Sequence, residues 1–223
     1  MLATQEFLKR RAVDFQAVGR YSLTSRFDGR GNRRQFACRT TRISPFQMLV
    51  SAPVTGPLGE RVICYFGEFG QLDGLVADVI SGGFLVDLKV TKAQRQKLAN
   101  KLEWLETRAK DETVVDVREQ QRIIPENPHT TLLFADGSAL TCFAIDVSPS
   151  GVAVSADIDV EIGTRLAVGR SVGQVVRRFD EGFAVKFDNL IDPKRVEEAI
   201  KPTSELMNAA LQPRKEDTAW YLD

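Results

Sequence analysis

The sequence predicts an all-β protein with accessory helices, in which two tandem copies of a small antiparallel β-unit are joined by an α-helix. The first observation behind this prediction is that the two halves of the 223-residue chain resemble each other at a nearly constant offset. The second is that each half consists of short segments rich in Val, Ile, Phe and Thr, separated by turn signals. The third is a stretch between the halves with apolar side chains at helical spacing. Barrels are favoured over open sandwiches because so small a sheet needs its edges paired.

The internal repeat is visible residue by residue. An offset of 104 relates the first copy to the second, and after a loop that is five residues shorter the offset falls to 99. The offset of 104 relates Cys38, Ser44, Pro45, Ala52, Gly59 and Arg61 to Cys142, Ser148, Pro149, Ala156, Gly163 and Arg165. The offset of 99 relates Gly83 and Phe84 to Gly182 and Phe183. Each copy has the size of one small domain.

Four regions follow along the chain. The first copy occupies residues 1–90, a linking helix residues 91–112, the second copy residues 113–191, and a C-terminal helix with a polar tail residues 192–223. In the linking helix, Leu98, Leu102, Leu105 and Ala109 share one face, and Thr91 is its predicted N-cap. The C-terminal helix is predicted over 192–211, with a break near Pro202.

The strands of the second copy are the clearest. They are predicted over His129–Phe134, Ala139–Ile145, Val152–Ala156, Arg165–Val168, Gly173–Phe179 and Gly182–Phe187.

Composition excludes several classes of function. The 30 basic and 30 acidic side chains cancel, so no overall field marks a binder of nucleic acid polymers or of anionic membrane. No apolar run approaches a membrane span and the N-terminus lacks the core of a signal peptide, which predicts a cytoplasmic protein. Cys38, Cys64 and Cys142 are interpreted as small buried hydrophobes.

Two short patterns around the second copy carry the candidate chemistry. Arg118 and Arg122 lie four residues apart just before its first strand, and DVSPSG, from Asp146 to Gly151, separates two strand-like runs. Taken alone, the arginines fit a solvated pair of charges and DVSPSG fits a hairpin turn. Their order and context single them out: two arginines, a strand pair, and then an acid, a serine and a glycine at the start of the next strand.

This combination resembles the PilZ domain family, whose signature is an RxxxR segment before a barrel and a [D/N]xSxxG segment on an early strand. The resemblance implies two tandem six-stranded antiparallel barrels, and it implies that the second binds the bacterial second messenger cyclic di-GMP. The ligand-binding residues implied by the two motifs are Arg118, Arg122, Asp146, Ser148 and Gly151. No metal or other cofactor is expected.

Each residue of the two motifs has a chemical role that the resemblance implies. Arginine matches phosphate oxygens and also the O6/N7 edge of guanine, which suits Arg118 and Arg122. The carboxylate of Asp146 suits the donor edge of guanine. Ser148 either bonds a phosphate or braces the turn, and Gly151 lets ligand and backbone approach closely.

The first copy lacks this signature. The repeat places Arg42 and Gln47 where the second copy has Asp146 and Gly151. Upstream, Asp14 and Phe15 occupy the places where an arginine would complete RxxxR after the basic residues 9–11. The first copy is therefore expected to be a degenerate PilZ-like barrel that binds no nucleotide and serves as a dimer interface, a docking surface or a moving half.

The residues give little support to an enzyme. His129 is the single histidine, and Asp157, Asp159 and Glu161 alternate as on a solvated strand or loop. Two hypotheses remain. One is a cyclic di-GMP receptor that acts on an unidentified protein partner, as a monomer or homodimer. The other is a ligand-independent interaction module of the same fold.

Overall fold

The computed structural model describes residues 12–108 and 122–202, and these residues form two closed six-stranded antiparallel β-barrels with few helices. The chain divides into two compact units, Met1–Val117 and Arg118–Asp223, with one barrel in each. The all-β class and the tandem barrels predicted from the sequence are thus confirmed. The predicted region boundaries after residues 90, 112 and 191 stay predictions.

The first barrel has the strand order β1-β2-β3-β6-β5-β4, with the last strand pairing back to the first. Its strands are β1 (Ala17–Leu23), β2 (Phe36–Ile43), β3 (Gln47–Ser51), β4 (Arg61–Phe66), β5 (Gly70–Ile80) and β6 (Gly83–Leu88). Inward-facing side chains such as Tyr21, Phe36 and Phe84 fill the interior, and their rings pack with centroids 5.3 to 5.4 Å apart. The interior is therefore a packed core and leaves no channel for a ligand.

Helix α1 (Lys92–Arg108) follows the first barrel. Thr91 begins it with a reciprocal cap, because Gln94 N donates to Thr91 Oγ1 (3.3 Å) and Thr91 N donates to Gln94 Oε1 (2.9 Å). Leu98 and Leu102 are buried in the barrel core, as the apolar spacing predicts. The predicted helix residue Ala109 lies outside the described residues.

The second barrel repeats the same strand order as β7-β8-β9-β12-β11-β10. Its strands are β7 (His129–Phe134), β8 (Ala139–Ser148), β9 (Gly151–Ser155), β10 (Arg165–Val168), β11 (Ser171–Phe179) and β12 (Gly182–Phe187). All six strands predicted for this copy are present, and β8 runs three residues further than predicted, as far as Ser148. The DVSPSG stretch is thus the end of β8, a tight turn and the start of β9.

The two offsets read from the sequence describe the real correspondence of the strands. Strands β3 and β9 match at an offset of 104 throughout, and β6 and β12 match at 99. The irregularities match as well, because β2 has a bulge between Thr40 and Arg42 and β8 has one between Ala144 and Asp146. A bulge changes the direction of the side chains that follow it, so its position decides where residues 42 and 146 lie.

A short helix covers one end of the second barrel. The 3-10 turn Pro193–Arg195 leads into α2 (Val196–Ile200), and Val196 and Ile200 are buried in the barrel core. The carbonyl of Ile200 accepts a hydrogen bond from the Thr130 hydroxyl, which ties the helix end to β7. The described part of the predicted C-terminal helix is therefore a 3-10 turn and one short α-helix, and residues 203–211 lie outside the described residues.

The three cysteines are free and buried, in agreement with their interpretation as small hydrophobes. Burial raises the pKa of the Cys64 thiol to about 12, with a further contribution from the charge of Asp73. Burial alone raises the pKa of the Cys142 thiol well above its usual range. Thiols held in this neutral state are poor nucleophiles and poor metal ligands.

No helix in residues 12–108 and 122–202 has both the length and the apolar character that a membrane crossing requires.

Candidate ligand-binding site

The segment that enters the second barrel is fixed to strand β8. Ile123 and Val147 exchange two backbone hydrogen bonds, each 2.9 Å long, so residues 122–124 run beside the end of that strand. Further along, Pro128 O accepts a hydrogen bond from Ala144 N at 2.7 Å. This attachment places Arg122 on the outer surface of the barrel, level with the residues that follow the β8 bulge.

Arg122 and Asp146 form an ion pair at this surface. Arg122 Nη1 lies 3.3 Å from Asp146 Oδ1 and 3.2 Å from Asp146 Oδ2. Both side chains keep contact with solvent, at 42% and 27% exposure. The second predicted guanidinium, that of Arg118, lies outside the described residues. The structure thus brings together the acid of one motif and the second arginine of the other.

The turn after Asp146 is braced from within. Ser148 Oγ donates to the carbonyl of Gly151 at 3.3 Å and lies 3.3 Å from Ser150 Oγ. A Cβ atom at Gly151 would lie 2.4 Å from the carbonyl oxygen of Val185, so only glycine allows β9 and β12 to approach this closely.

An open pocket of about 220 Å³ surrounds these residues on the outer face of the barrel. Four of the five predicted site residues line it. The complete lining is Arg122, Asp146, Ser148, Ser150, Gly151, Val152, Ala153, Val176, Ala184, Val185 and Lys186. Charged groups therefore stand at the margins of a pocket whose floor is made of small and apolar side chains.

Seven of the lining residues were not predicted from the sequence, and three of these, Ala153, Ala184 and Lys186, come from strands β9 and β12. Ala153 and Ala184 lie side by side on β9 and β12, and Lys186 lies opposite Gly151 on β12. No motif covers these positions, because they join the site only through the pairing of β9 with β12. Comparison of the two copies could have indicated these positions, because the equivalent residues of the first copy are Leu49, Leu85 and Asp87, which are larger or oppositely charged.

The first barrel presents a different surface at the equivalent place. Val13 pairs with Ile43 as Ile123 pairs with Val147, so Ala12 occupies the position of Arg122. Arg42, which replaces Asp146, forms an ion pair with Asp14 (Nε to Oδ1, 3.2 Å). The spacing from the basic residues 9–11 placed the missing arginine at Asp14 or Phe15, whereas the strand pairing shows that Ala12 is the residue equivalent to Arg122.

Gln47, which replaces Gly151 in the first barrel, is held in place by its neighbour on β6. Its Nε2 atom donates to Asp87 Oδ1 at 2.7 Å, and Asp87 is the residue equivalent to Lys186. The Gln47 side chain therefore occupies a part of the barrel surface that stays open at Gly151 in the second barrel.

The remaining polar candidates lie outside the pocket lining. The His129 ring packs edge-on against Phe143 with centroids 5.7 Å apart. Asp159 lies 4.0 Å from Arg178 as a solvent-exposed pair. Within the described ranges, no group of three or more His, Cys, Asp or Glu side chains is arranged to hold a metal ion.

An acid and a cation beside an open pocket floored by small residues make this face of the barrel a candidate site for a small ligand. The family model described as PilZ domain matches residues 116–201. This segment therefore resembles the PilZ domain family. The match includes both motifs and every residue of the pocket lining. No curated protein matches the chain.

Several solved structures align with most of the chain at low identity. The Borreliella burgdorferi PlzA protein in complex with c-di-GMP is 10% identical, with 94% of this chain and 98% of that chain covered and a TM-score of 0.28. The Bacillus subtilis inhibitor of motility, MotI/DgrA, is 11% identical, with coverage of 83% and 95% and a TM-score of 0.28. YcgR from Escherichia coli in complex with c-di-GMP is 12% identical, with coverage of 82% and 80% and a TM-score of 0.25. Similarity at this level carries no weight for function.

Proposed function

We propose that the protein is a cyclic di-GMP receptor, that its second barrel binds the nucleotide, and that it works in the cytoplasm as a binding protein rather than an enzyme. The observation that carries this proposal is the Arg122–Asp146 pair at the edge of the pocket, within a segment that resembles the PilZ domain family. The proposed ligand contacts are those of Arg118, Arg122, Asp146, Ser148 and Gly151.

The chemistry of the pair fits the two kinds of group that this ligand offers. Cyclic di-GMP carries two phosphodiester charges and two guanines. A guanidinium donates to phosphate oxygens or to guanine O6 and N7 with the same planar fork. The carboxylate of Asp146 accepts from guanine N1–H and the exocyclic amine. Because Arg122 and Asp146 lie side by side, the guanidinium can donate to O6 and N7 of a guanine while the carboxylate accepts from N1–H and the exocyclic amine of the same base.

The ligand can displace the internal ion pair because the energies differ. A solvent-exposed pair such as Arg122–Asp146 contributes about 0 to 1 kcal/mol. Each charge-assisted hydrogen bond to the ligand contributes about 1.5 to 3 kcal/mol. Exchanging one weak internal pair for two or more such contacts favours the bound state.

The relay of binding is proposed to begin ahead of Arg122. Backbone hydrogen bonds already fix Ile123 to Val147 and Pro128 to Ala144. Between them, the Glu197 carboxylate accepts a hydrogen bond from Glu126 N at 2.9 Å. A ligand that binds Arg118 would therefore change the position of the residues that precede this fixed segment. We propose that this rearranges the two units or exposes a surface for a protein partner. The first barrel supplies that surface or a dimer contact and binds no nucleotide.

Isothermal titration calorimetry with cyclic di-GMP tests the proposal directly. The expected result is saturable binding at micromolar concentrations or below. Absence of heat at tens of micromolar ligand, with protein that melts cooperatively, would leave the ligand-independent interaction module as the function.

Two arginine variants refine this test. Arg118→Ala and Arg122→Ala should together weaken binding at least hundredfold, because about 3 to 6 kcal/mol of charge-assisted contacts are removed. The melting temperature of the free protein should stay nearly unchanged, since the Arg122 pair is solvent-exposed. Arg42→Ala, at the first-barrel position equivalent to Asp146, is the matched control and should bind normally. Unfolding of the double variant would show that these arginines are structural.

A further inference from the structure

The pocket of the second barrel extends beyond the two sequence motifs, onto strand β12. Lys186 lines the pocket with an exposed side chain, and its Cα lies opposite that of Gly151. Nothing in the RxxxR or DxSxxG patterns covers this cation. It stands on the far side of β9 from the Arg122–Asp146 pair.

The strand register arranges the site residues in two neighbouring rows across β8, β9, β12 and β11. The first row is Asp146, Ala153, Ala184 and Arg177, and the second row is Ser148, Gly151, Lys186 and Gln174. The first row therefore has two alanines between polar residues, and the second row has Gly151 between Ser148 and Lys186.

The middle of the two rows forms a shelf, which we define as Gly151, Ala153 and Ala184. Adjacent strands lie about 4.8 Å apart, so the shelf separates strand β8, which carries Asp146, from strand β12, which carries Lys186, by about 10 Å. Side chains this small let a flat ligand lie close to the backbone of the sheet. A ligand resting there meets the acid and Arg122 at one edge and Lys186 at the other.

The first barrel inverts these rows. Its first row is Arg42, Leu49, Leu85 and Asp78, and its second row is Ser44, Gln47, Asp87 and Leu75. The two alanines are replaced by Leu49 and Leu85. The charges are reversed, because Arg42 stands for Asp146, Asp78 for Arg177 and Asp87 for Lys186. The first barrel, which has Ala12 in place of Arg122, thus also lacks the shelf and the cation at the position of Lys186. The features that would form a site occur together in the second barrel.

We infer that Lys186 binds a phosphate group of the ligand and that the ligand lies across the shelf, an inference that rests on the proposed cyclic di-GMP site. Lysine presents a compact charge with three donors on a flexible stem, which suits a phosphate oxygen rather than the planar edge of a base. The phosphodiester that faces away from the arginines is the group within its reach.

Lys186→Gln tests the phosphate contact by calorimetry with cyclic di-GMP. The variant should bind about twofold to fivefold more weakly, since a solvent-exposed charge contact changes the affinity by a factor of about five or less. Its binding should also depend less on salt than that of the wild type, because one screened charge is gone. Lys186→Arg should keep most of the affinity. Lys194→Gln, an exposed lysine of the same unit outside the pocket lining, is the matched control and should bind normally.

Ala184→Leu tests the shelf, because it places there the residue that the first barrel has at the same position. Binding should fall at least thirtyfold while the melting temperature shows a folded barrel. Thr141→Leu, an exposed strand position outside the pocket lining, controls for added apolar surface. If Ala184→Leu unfolds the protein, the smaller Ala184→Val takes its place.

The outcomes separate this inference from the proposed function. A wild type that gives no heat overturns the proposed function and the inference together. A wild type that binds, with Lys186→Gln binding as tightly and with the same salt dependence, overturns the phosphate contact alone. A folded Ala184→Leu or Ala184→Val variant that binds like the wild type overturns the shelf.

Discussion

The two barrels place opposite charges at one equivalent position, Arg42 in the first barrel and Asp146 in the second. Arg42 of the first barrel pairs with the acid Asp14 on the entry segment, and Asp146 of the second pairs with the cation Arg122. Both pairs join an entry segment to the residue that follows a bulge in the second strand of the barrel. Both barrels therefore have an ion pair between these two segments, and the charge of the strand residue decides whether it donates or accepts hydrogen bonds.

The two barrels share several local features of the backbone. Both copies keep the bulge, the Ser-Pro turn and the short backbone bridge from the entry segment. Both also cover one barrel end with apolar residues of the helix that follows the last strand, Leu98 and Leu102 in one copy and Val196 and Ile200 in the other. On the outer face beside the Ser-Pro turn, the second barrel has small residues at Gly151, Ala153 and Ala184 where the first has larger ones.

The largest expected effect comes from giving the second barrel the charge of the first. Asp146→Arg should weaken cyclic di-GMP binding by more than hundredfold, because a guanidinium meets the donor edge of guanine and repels Arg122. Calorimetry measures the loss, and the melting temperature should change little because the replaced pair is exposed.

The reciprocal change controls the comparison. Arg42→Asp should create no second binding site. The first barrel would still have Ala12 in place of Arg122, and Leu49 and Leu85 in place of the two alanines of the shelf. A doubled stoichiometry in the Arg42→Asp variant would show that one charge alone separates the two barrels.

A smaller effect, on stability, is expected at the glycine that the first barrel lacks. Gly151→Ala should lower the free energy of unfolding by about 2 kcal/mol, because its Cβ would lie 2.4 Å from the Val185 carbonyl oxygen and the two strands must part. Urea unfolding measures this change. Gln47→Ala is the matched change in the first barrel and removes only the hydrogen bond to Asp87, so its loss should be nearer 1 kcal/mol. Equal losses would mean that β9 and β12 are not packed more tightly than β3 and β6.

Much of this fold could be predicted from the sequence because the repeat keeps two constant offsets from Cys38 to Phe84. The offset of 104 places β9 on β3 without error, and the offset of 99 does the same for β12 and β6. The entry segments follow a third offset, since Val13 corresponds to Ile123, and for that reason the position equivalent to Arg122 could not be placed correctly. The β1–β2 connection, residues 24–35, is longer than its counterpart, residues 135–138, and shifts everything before it.

The site was predictable only where a motif is local in sequence. Asp146, Ser148 and Gly151 lie within one turn, so their proximity follows from the chain itself. Lys186 and Ala184 reach the pocket by pairing of strands far apart in sequence, which no local pattern reports. The binding roles of all these residues stay predictions until a ligand is measured.

The smallest expected effect separates two roles of the serine that both barrels share. Ser44 Oγ is fully buried, accepts from Phe46 N and Gln47 N at 3.2 and 3.0 Å, and donates to Gln47 O at 3.1 Å. Ser148 Oγ donates to Gly151 O at 3.3 Å.

Because Ser44 makes more and shorter hydrogen bonds, Ser44→Ala should lower the free energy of unfolding by about 1.5 kcal/mol and Ser148→Ala by about 0.5 kcal/mol. Urea unfolding measures both losses. Cyclic di-GMP affinity should fall severalfold in Ser148→Ala and stay unchanged in Ser44→Ala if Ser148 also bonds the ligand. Unchanged affinity in both variants would assign the serine to the turn alone, since the barrel without a site braces its turn with the same residue.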